Sequence, residues 1–321
     1  MADVFNELRK SPTPSRMNRL NDRFVRYLFG NDRNKALLLD FINDALYLSG
    51  DAIVQDLELN AGELAQGSFN AKLSRLDISA RLNNGITVDI EVQVINRRDF
   101  TKRFPYYWSL RHARQMRVGE SYIEIKPTIL ICILAFDILD EEHFRNSYKI
   151  RNDDNGHALC DDLQLVFLEL PKFKKTITEP HSGLERWLSY FSCEEENKME
   201  KIAKADPMIT AAMLIESEFW ADDTERELYF AMQKQLMDEA SAERSIRIYA
   251  HQKGLEEGLE KGIQKGIQKG KKEGIMEGLQ KGEHIKAIQT ARKMLARKMD
   301  VSLIADVTGL PEHEITKLAN S

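Results

Sequence analysis

The chain has 321 residues, 42% apolar and 30% charged, enough for one sizeable core with an appended helical part. Its net charge of −5 gives no global affinity for nucleic acid and argues against a simple DNA-coating protein, so any such binding must come from a local basic patch. Cys132, Cys160 and Cys193 are too few and too far apart for a disulfide framework, and the sequence has neither an apolar N-terminal signal segment nor a run of about 18 to 20 apolar residues; a soluble cytoplasmic protein without membrane contact is expected.

Residues 1–20 are polar, contain Pro12 and Pro14, and predict a loose start. From Asp22 to Leu48 apolar residues recur at helical spacing (Phe24, Leu28, Leu37, Leu38, Phe41, Ile42, Leu46), with a break near Gly30, so two helices are expected. Residues 51–59 are expected to form a first strand. Two runs of alternating apolar and polar residues, 73–82 and 86–94, then flank Asn83, Asn84 and Gly85, which is a hairpin signature. Residues 100–118 read as a helix. Residues 127–136 read as a fully buried strand, because the apolar run is continuous, and 164–170 as another, ended by Pro171. This order predicts an α/β fold, a sheet sandwiched by helices.

Symmetric closure of the hairpin pairs Leu82 with Ile86, Ala80 with Val88, Ile78 with Ile90 and Leu76 with Val92, making one face wholly apolar. The other face pairs Arg81 with Thr87, Ser79 with Asp89, Asp77 with Glu91 and Arg75 with Gln93. Asp77 and Glu91 then oppose each other at about 4.5 to 5.5 Å between Cβ atoms, and they repel unless a proton or cation sits between them. A hard divalent cation such as Mg²⁺, held by one or two carboxylates with water and phosphate, is the simplest resolution. The bland alternative is a solvent-facing hairpin whose Asp, Glu and Gln merely alternate outward. Asp89 shares the polar face, but it lies nearer the turn and is expected to stay outside the metal shell.

Asp77, thirteen intervening residues, then Glu91, Val92 and Gln93 on the next strand resembles the PD-(D/E)XK nuclease core in its (D/E)xQ variant, with glutamine at the usual lysine position. More narrowly, the chain resembles the Rpn family of recombination-promoting nucleases, often labelled transposases. The likeness is carried by residues 22–30, Leu76 and Asp77, residues 89–93, residues 100–103, Tyr106 to Trp108, Gly119 with Tyr122, and residues 168–172. It implies a restriction-endonuclease-like core, a central mixed sheet flanked by helices, followed by an α-helical C-terminal region. It also implies Mg²⁺ or another divalent cation held by Asp77, Glu91 and the Val92 carbonyl, with Gln93 orienting water or phosphate and Asp22 as a supporting ligand from upstream. The activity implied is metal-dependent hydrolysis of DNA by an endonuclease linked to recombination, mobile elements or phage defence. An interaction protein whose nuclease fold has weak or lost catalysis stands as the alternative.

Seven basic residues between Arg97 and Arg117 are interleaved with Phe104, Tyr106, Tyr107 and Trp108. Arg103, Tyr107, Arg111 and Arg114 fall at spacings that share one helix face, so a DNA-gripping stripe is expected there, against the alternative of a solvated face with Tyr107 and Trp108 in the core. The seven histidines form no zinc-type cluster with cysteine, and no phosphate-loop, dinucleotide or Gly-x-Ser-x-Gly motif occurs.

Beyond Gly183 the pattern is helical. Gly254, Gly258, Gly262, Gly266, Gly270, Gly274, Gly278 and Gly282 recur at an unbroken period of four, followed by an apolar row from Leu255 to Leu279 that Lys271 interrupts. Glycine costs a helix about 0.8 to 1 kcal/mol per residue relative to alanine, so either a flexible linker or self-association of helices is expected. A period of four drifts about 40° per repeat against the helical turn, which favours strongly crossing helices over a long left-handed coiled coil. The expected organisation is a nuclease-like domain (1–182), a helical extension (183–250), the glycine ladder (251–283) and a small helix-turn-helix-like module (284–321). With Lys317 placed among Glu312, His313 and Glu314, the last module suits packing better than major-groove reading.

Overall fold

The computed structural model describes residues 17–60, 78–193 and 195–319. The chain divides into two compact units, Met1–Ala240 and Ser241–Ser321. The first begins with helices α1 (Asp22–Phe29) and α2 (Lys35–Ala45), followed by β1 (Leu57–Leu59), β2 (Ile78–Leu82), β3 (Thr87–Gln93), α3 (Phe100–Ala113), β4 (Thr128–Leu134), β5 (Arg145–Tyr148), β6 (Leu163–Glu169) and α4 (Leu170–Thr176). Helices α5 (Gly183–Ser192), α6 (Glu196–Ala205), α7 (Pro207–Ala221) and α8 (Asp223–Ala296) follow. Helix α8 contributes to both units.

One six-stranded mixed sheet has the order β1-β2-β3-β4-β6-β5, with β3, β4 and β6 parallel and the other pairs antiparallel. Within the described residues the hairpin closes in the expected register: Ile78 opposes Ile90, Ser79 opposes Asp89, Ala80 opposes Val88 and Arg81 opposes Thr87. Gly85 takes a φ of +86° in the turn, a left-handed conformation that glycine adopts without strain. The expected pairs of Arg75, Leu76 and Asp77 lie outside the described residues.

The two faces of the sheet are covered differently. Ile78, Ala80, Val88, Ile90, Val92, Ile129, Ile131, Ile133, Val166 and Leu168 pack with α1, α2, α5 and α7 in one apolar core, through Phe24, Phe41, Trp187 and Phe219 among others. On the opposite face Leu130, Cys132, Leu134, Leu165 and Phe167 pack beneath Phe100, Phe104 and Tyr107 of α3. Trp108 Nε1 donates to the Thr128 carbonyl oxygen at 2.8 Å and fastens α3 to the start of β4.

Capping defines the helix starts. Asn21 accepts from the Arg23 amide, Asp206 from the Met208 and Ile209 amides, and Ser182 with Glu185 forms a capping box at α5. Several expectations are corrected. The first strand is confined to Leu57–Leu59, and the helix expected over 100–118 ends at Ala113. Leu170 belongs to α4 and not to the strand, because Pro171 suits the first turn of a helix, where its missing N–H costs nothing. The edge strand β5 was not anticipated.

Helices α5 to α7 and Tyr229 of α8 share the core of the sheet. Phe219 of α7 meets Phe24 at 5.2 Å and Tyr27 at 5.1 Å between ring centroids, edge to face. In the second unit Ala291, Ile304, Leu310 and Ile315 form a small core between the end of α8, α9 (Val301–Thr308) and α10 (Glu312–Ala319). Gly309, with φ +69°, makes the expected corner between α9 and α10.

If α7 folds with the sheet as one unit, Phe219→Ala should lower its stability by about 3 to 5 kcal/mol. Urea unfolding followed by tryptophan fluorescence and by circular dichroism should then give one shifted transition for both probes. A separate early transition would show that α7 folds apart from the sheet.

Candidate active site on the covered face of the hairpin

The polar face of the hairpin lies inside the protein. Asp89 and Glu91 are each 1% exposed, and Ser79 and Thr87 are buried with them. The parallel register sets Asp89 beside Leu130 and Glu91 beside Cys132, so both carboxylates point to the side of the sheet that α3 covers. The solvent-facing reading of the hairpin therefore does not hold for these positions.

Burying two carboxylates two residues apart requires specific partners. Asp89 receives Arg111 as a fork: Nε donates to Oδ2 at 2.8 Å and to Oδ1 at 3.1 Å, and Nη2 donates to Oδ1 at 2.8 Å. Arg111 Nη2 also reaches Ser79 Oγ, which accepts from Asn60 Nδ2 at 3.0 Å. Burial pushes the Asp89 carboxyl up to about 7; the Ser79 hydroxyl opposes this and the charge of Glu91 adds to it. Burial, followed by repulsion from Arg114, pushes the Arg111 guanidinium down to about 10. Asp89, expected to stay outside the metal shell, has both of its carboxylate oxygens engaged by Arg111.

Glu91 meets a different pair. Gln93 Nε2 donates to its Oε1 at 2.7 Å, and Arg103 Nη2 lies 3.6 Å from the same oxygen. Cys132, buried against this carboxylate, has its thiol pushed well up by burial and by the Glu91 charge. Asp77, the expected partner of Glu91, lies outside the described residues. Asp22 opens α1; burial pushes its carboxyl up, Arg26 pulls it down and Glu239 pushes it up. Glu239, on α8, pairs with Arg97 at 2.5 Å, four residues beyond Gln93.

The expected basic stripe on α3 is divided by its packing. Phe100, Phe104, Tyr107 and Arg111 recur at the spacing of one helix face, and that face is turned to the sheet. Tyr107 is consequently buried, Arg111 is committed to Asp89, and Arg103 is 18% exposed beside Glu91. Of the four expected DNA contacts, Arg114 alone is exposed. The aromatic period running through the basic residues was the signal for this inward face.

The oxygen donors that residues 91–93 carry are the Glu91 carboxylate, the Val92 backbone carbonyl and the Gln93 side-chain carbonyl. Such a set fits a hard cation such as Mg²⁺ better than zinc or copper. Among the described residues no group of three or more His, Cys, Asp or Glu side chains is arranged to hold a metal ion, so a site built on Glu91 draws on backbone or amide oxygen, water, or a carboxylate beyond them. No described helix is long and apolar enough to cross a membrane.

The family model of the PD-(D/E)XK nuclease family transposases matches residues 19–245, which include every helix and strand around Glu91. No curated protein and no solved structure gives a significant match.

The ion pair on this face predicts a pH-dependent defect. Arg111→Met leaves the Asp89 charge buried without its counter-ion and should cost about 3 to 5 kcal/mol at pH 8. Burial raises the folded carboxyl above its unfolded value of 3.8, so protonation favours the native state and the cost should shrink as pH falls from 8 toward 5. Urea midpoints of both proteins at the two pH values measure this. A deficit that grows on acidification would contradict it.

Proposed function

The chain belongs to the PD-(D/E)XK nuclease transposase family, and on that premise we propose that it is a metal-dependent DNA endonuclease. The observation that carries the reading is Glu91, buried on β3 with Gln93 on its Oε1 and an arginine beside it. A structural acidic residue in that setting costs stability unless its charge is used, and a cation site uses it.

On this reading Glu91 and Asp77 are the carboxylate ligands, the Val92 carbonyl is a third oxygen donor and Asp22 supports them from α1. Mg²⁺ is the cofactor that this oxygen set favours; bound there, it neutralises charge on the phosphate and lowers the pKa of a water. Gln93 holds Glu91 in place through Nε2, and its role on this reading is to orient the attacking water or the phosphate. Glutamine carries no charge, so positive charge at the phosphate must come from elsewhere. Arg114, exposed at the end of α3, is a DNA-backbone contact; Tyr107 and Arg111 act from beneath the surface and position the site. The biological setting we infer is DNA recombination or mobile-element activity.

The second unit is proposed to join copies of the chain. Each ladder glycine has open space where a Cβ would stand, and Leu255, Leu259, Ile263, Ile267, Ile275 and Leu279 are all more than half exposed on α8. A second copy crossing there would bury apolar surface and bring backbones close.

Cleavage of supercoiled plasmid tests the enzyme. The purified chain should nick or linearise DNA with Mg²⁺ and not with chelator, and Asp77→Ala and Glu91→Ala should each lose the activity by about 100-fold or more. Equal background in every reaction would instead favour an assembly protein with a disused nuclease fold. Sedimentation velocity tests the second unit: the full chain should be an oligomer, and Leu259→Glu with Ile263→Glu should return it to monomer. A monomeric parent chain would remove the self-association proposal.

A further inference from the structure

Two arginines leave the inward face of α3 toward the carboxylates of β3, and their donors are used differently. Arg111 spends Nε and Nη2 on Asp89 and Ser79. Arg103, two turns earlier, is held by its faces. Its guanidinium carbon lies 5.0 Å from the centroid of the Phe100 ring and 5.2 Å from that of Tyr107. Packing of this kind fixes the plane of a guanidinium without consuming its N–H groups. Among the described residues Arg103 Nε has no hydrogen-bond partner.

Arg103 Nη2 lies 3.6 Å from Glu91 Oε1, longer than a hydrogen bond. Gln93 Nε2 already donates to that oxygen at 2.7 Å. An arginine that served only to neutralise Glu91 would close on the carboxylate as Arg111 does on Asp89. Arg103 instead keeps its fork while 18% of its side chain reaches solvent.

The geometry points to Arg103 as a catalytic residue that contacts the scissile phosphate, its guanidinium donating to the non-bridging oxygens and carrying the positive charge that Gln93 cannot supply. This rests on the nuclease reading. The chemistry follows from charge: Gln93 is neutral, and negative charge grows on the phosphate oxygens as the attacking oxygen bonds and the ester bond breaks. A planar cation with unspent donors matches two phosphate oxygens, and it stays protonated throughout. Because Gln93 and Arg103 share Glu91 Oε1, a lysine at position 93 would set a cation beside the same oxygen.

The test uses the full-length chain with a labelled duplex. Affinity is measured by fluorescence anisotropy in chelator, and single-turnover cleavage with Mg²⁺ at saturating protein. Arg103→Met should slow cleavage about 100-fold while affinity changes by less than about threefold. Adding Gln93→Lys to Arg103→Met should restore at least about tenfold of the rate. If the methionine variant does not fold, as judged by circular dichroism, Arg103→Lys keeps a charge beside Glu91 and loses the planar fork; it should slow cleavage about tenfold at unchanged affinity. A folded Arg103 variant that cleaves at the parent rate, a proportionate loss of affinity and rate, or failure of Gln93→Lys to restore cleavage would overturn the assignment. A parent chain that binds but never cleaves would overturn the nuclease reading and this assignment together, whereas an active parent with an indifferent Arg103 overturns the assignment alone.

Discussion

Asp89 and Glu91, two residues apart on one strand face and both removed from water, set the terms for everything packed over that face. An unpaired buried carboxylate costs several kcal/mol, so α3 cannot cover them with apolar side chains alone. At Asp89 the cost is met by a bidentate guanidinium and a serine hydroxyl, which makes the pair a fixed part of the sheet-helix interface. At Glu91 the answer is an amide at 2.7 Å and a guanidinium at 3.6 Å. The strand therefore carries one carboxylate locked to a guanidinium fork and one held by an amide with a guanidinium farther off. The aromatic row Phe100, Phe104 and Tyr107 makes both possible, because it holds α3 against β4 and β6 at the height where the two arginines reach β3.

The hairpin was legible because its determinants are local. Alternation over 86–94 fixes which side chains share a face, and Asn83 to Gly85 fixes where the chain turns; the observed register from Ile78 to Arg81 follows from those two facts. Whether the polar face met water was not local. It depended on α3, whose basic residues read equally well as an outward stripe until the spacing of Phe100, Phe104 and Tyr107 is laid over them. Arg111 lies on the aromatic face and turns inward, whereas Arg114 is exposed. The strand β5 escaped because its four residues, Arg145 to Tyr148, are half-exposed at the sheet edge and carry no apolar alternation. Pro171 misled for a physical reason as well: a proline that ends a strand and a proline that opens a helix look alike in sequence.

Helix α8 poses the opposite problem, a regular element whose sequence disfavours it. Eight glycines at about 0.8 to 1 kcal/mol each weigh about 6 to 8 kcal/mol against the helix. Charged pairs at the spacing of one turn act in its favour: Glu257 with Lys261 at 3.7 Å, Lys269 with Glu273 at 3.8 Å and Glu277 with Lys281 at 3.8 Å. At about 0.3 to 0.5 kcal/mol apiece they recover little more than a single glycine costs. The apolar row beside the ladder is the larger resource. Burying one leucine or isoleucine contributes about 1.5 to 3 kcal/mol, so covering three or four of these side chains would offset the whole penalty. Small residues at every fourth position allow that covering surface to come close. The period that makes the ladder a poor isolated helix is thus the one that suits it to crossing another, which is the physical case for assembly through this segment.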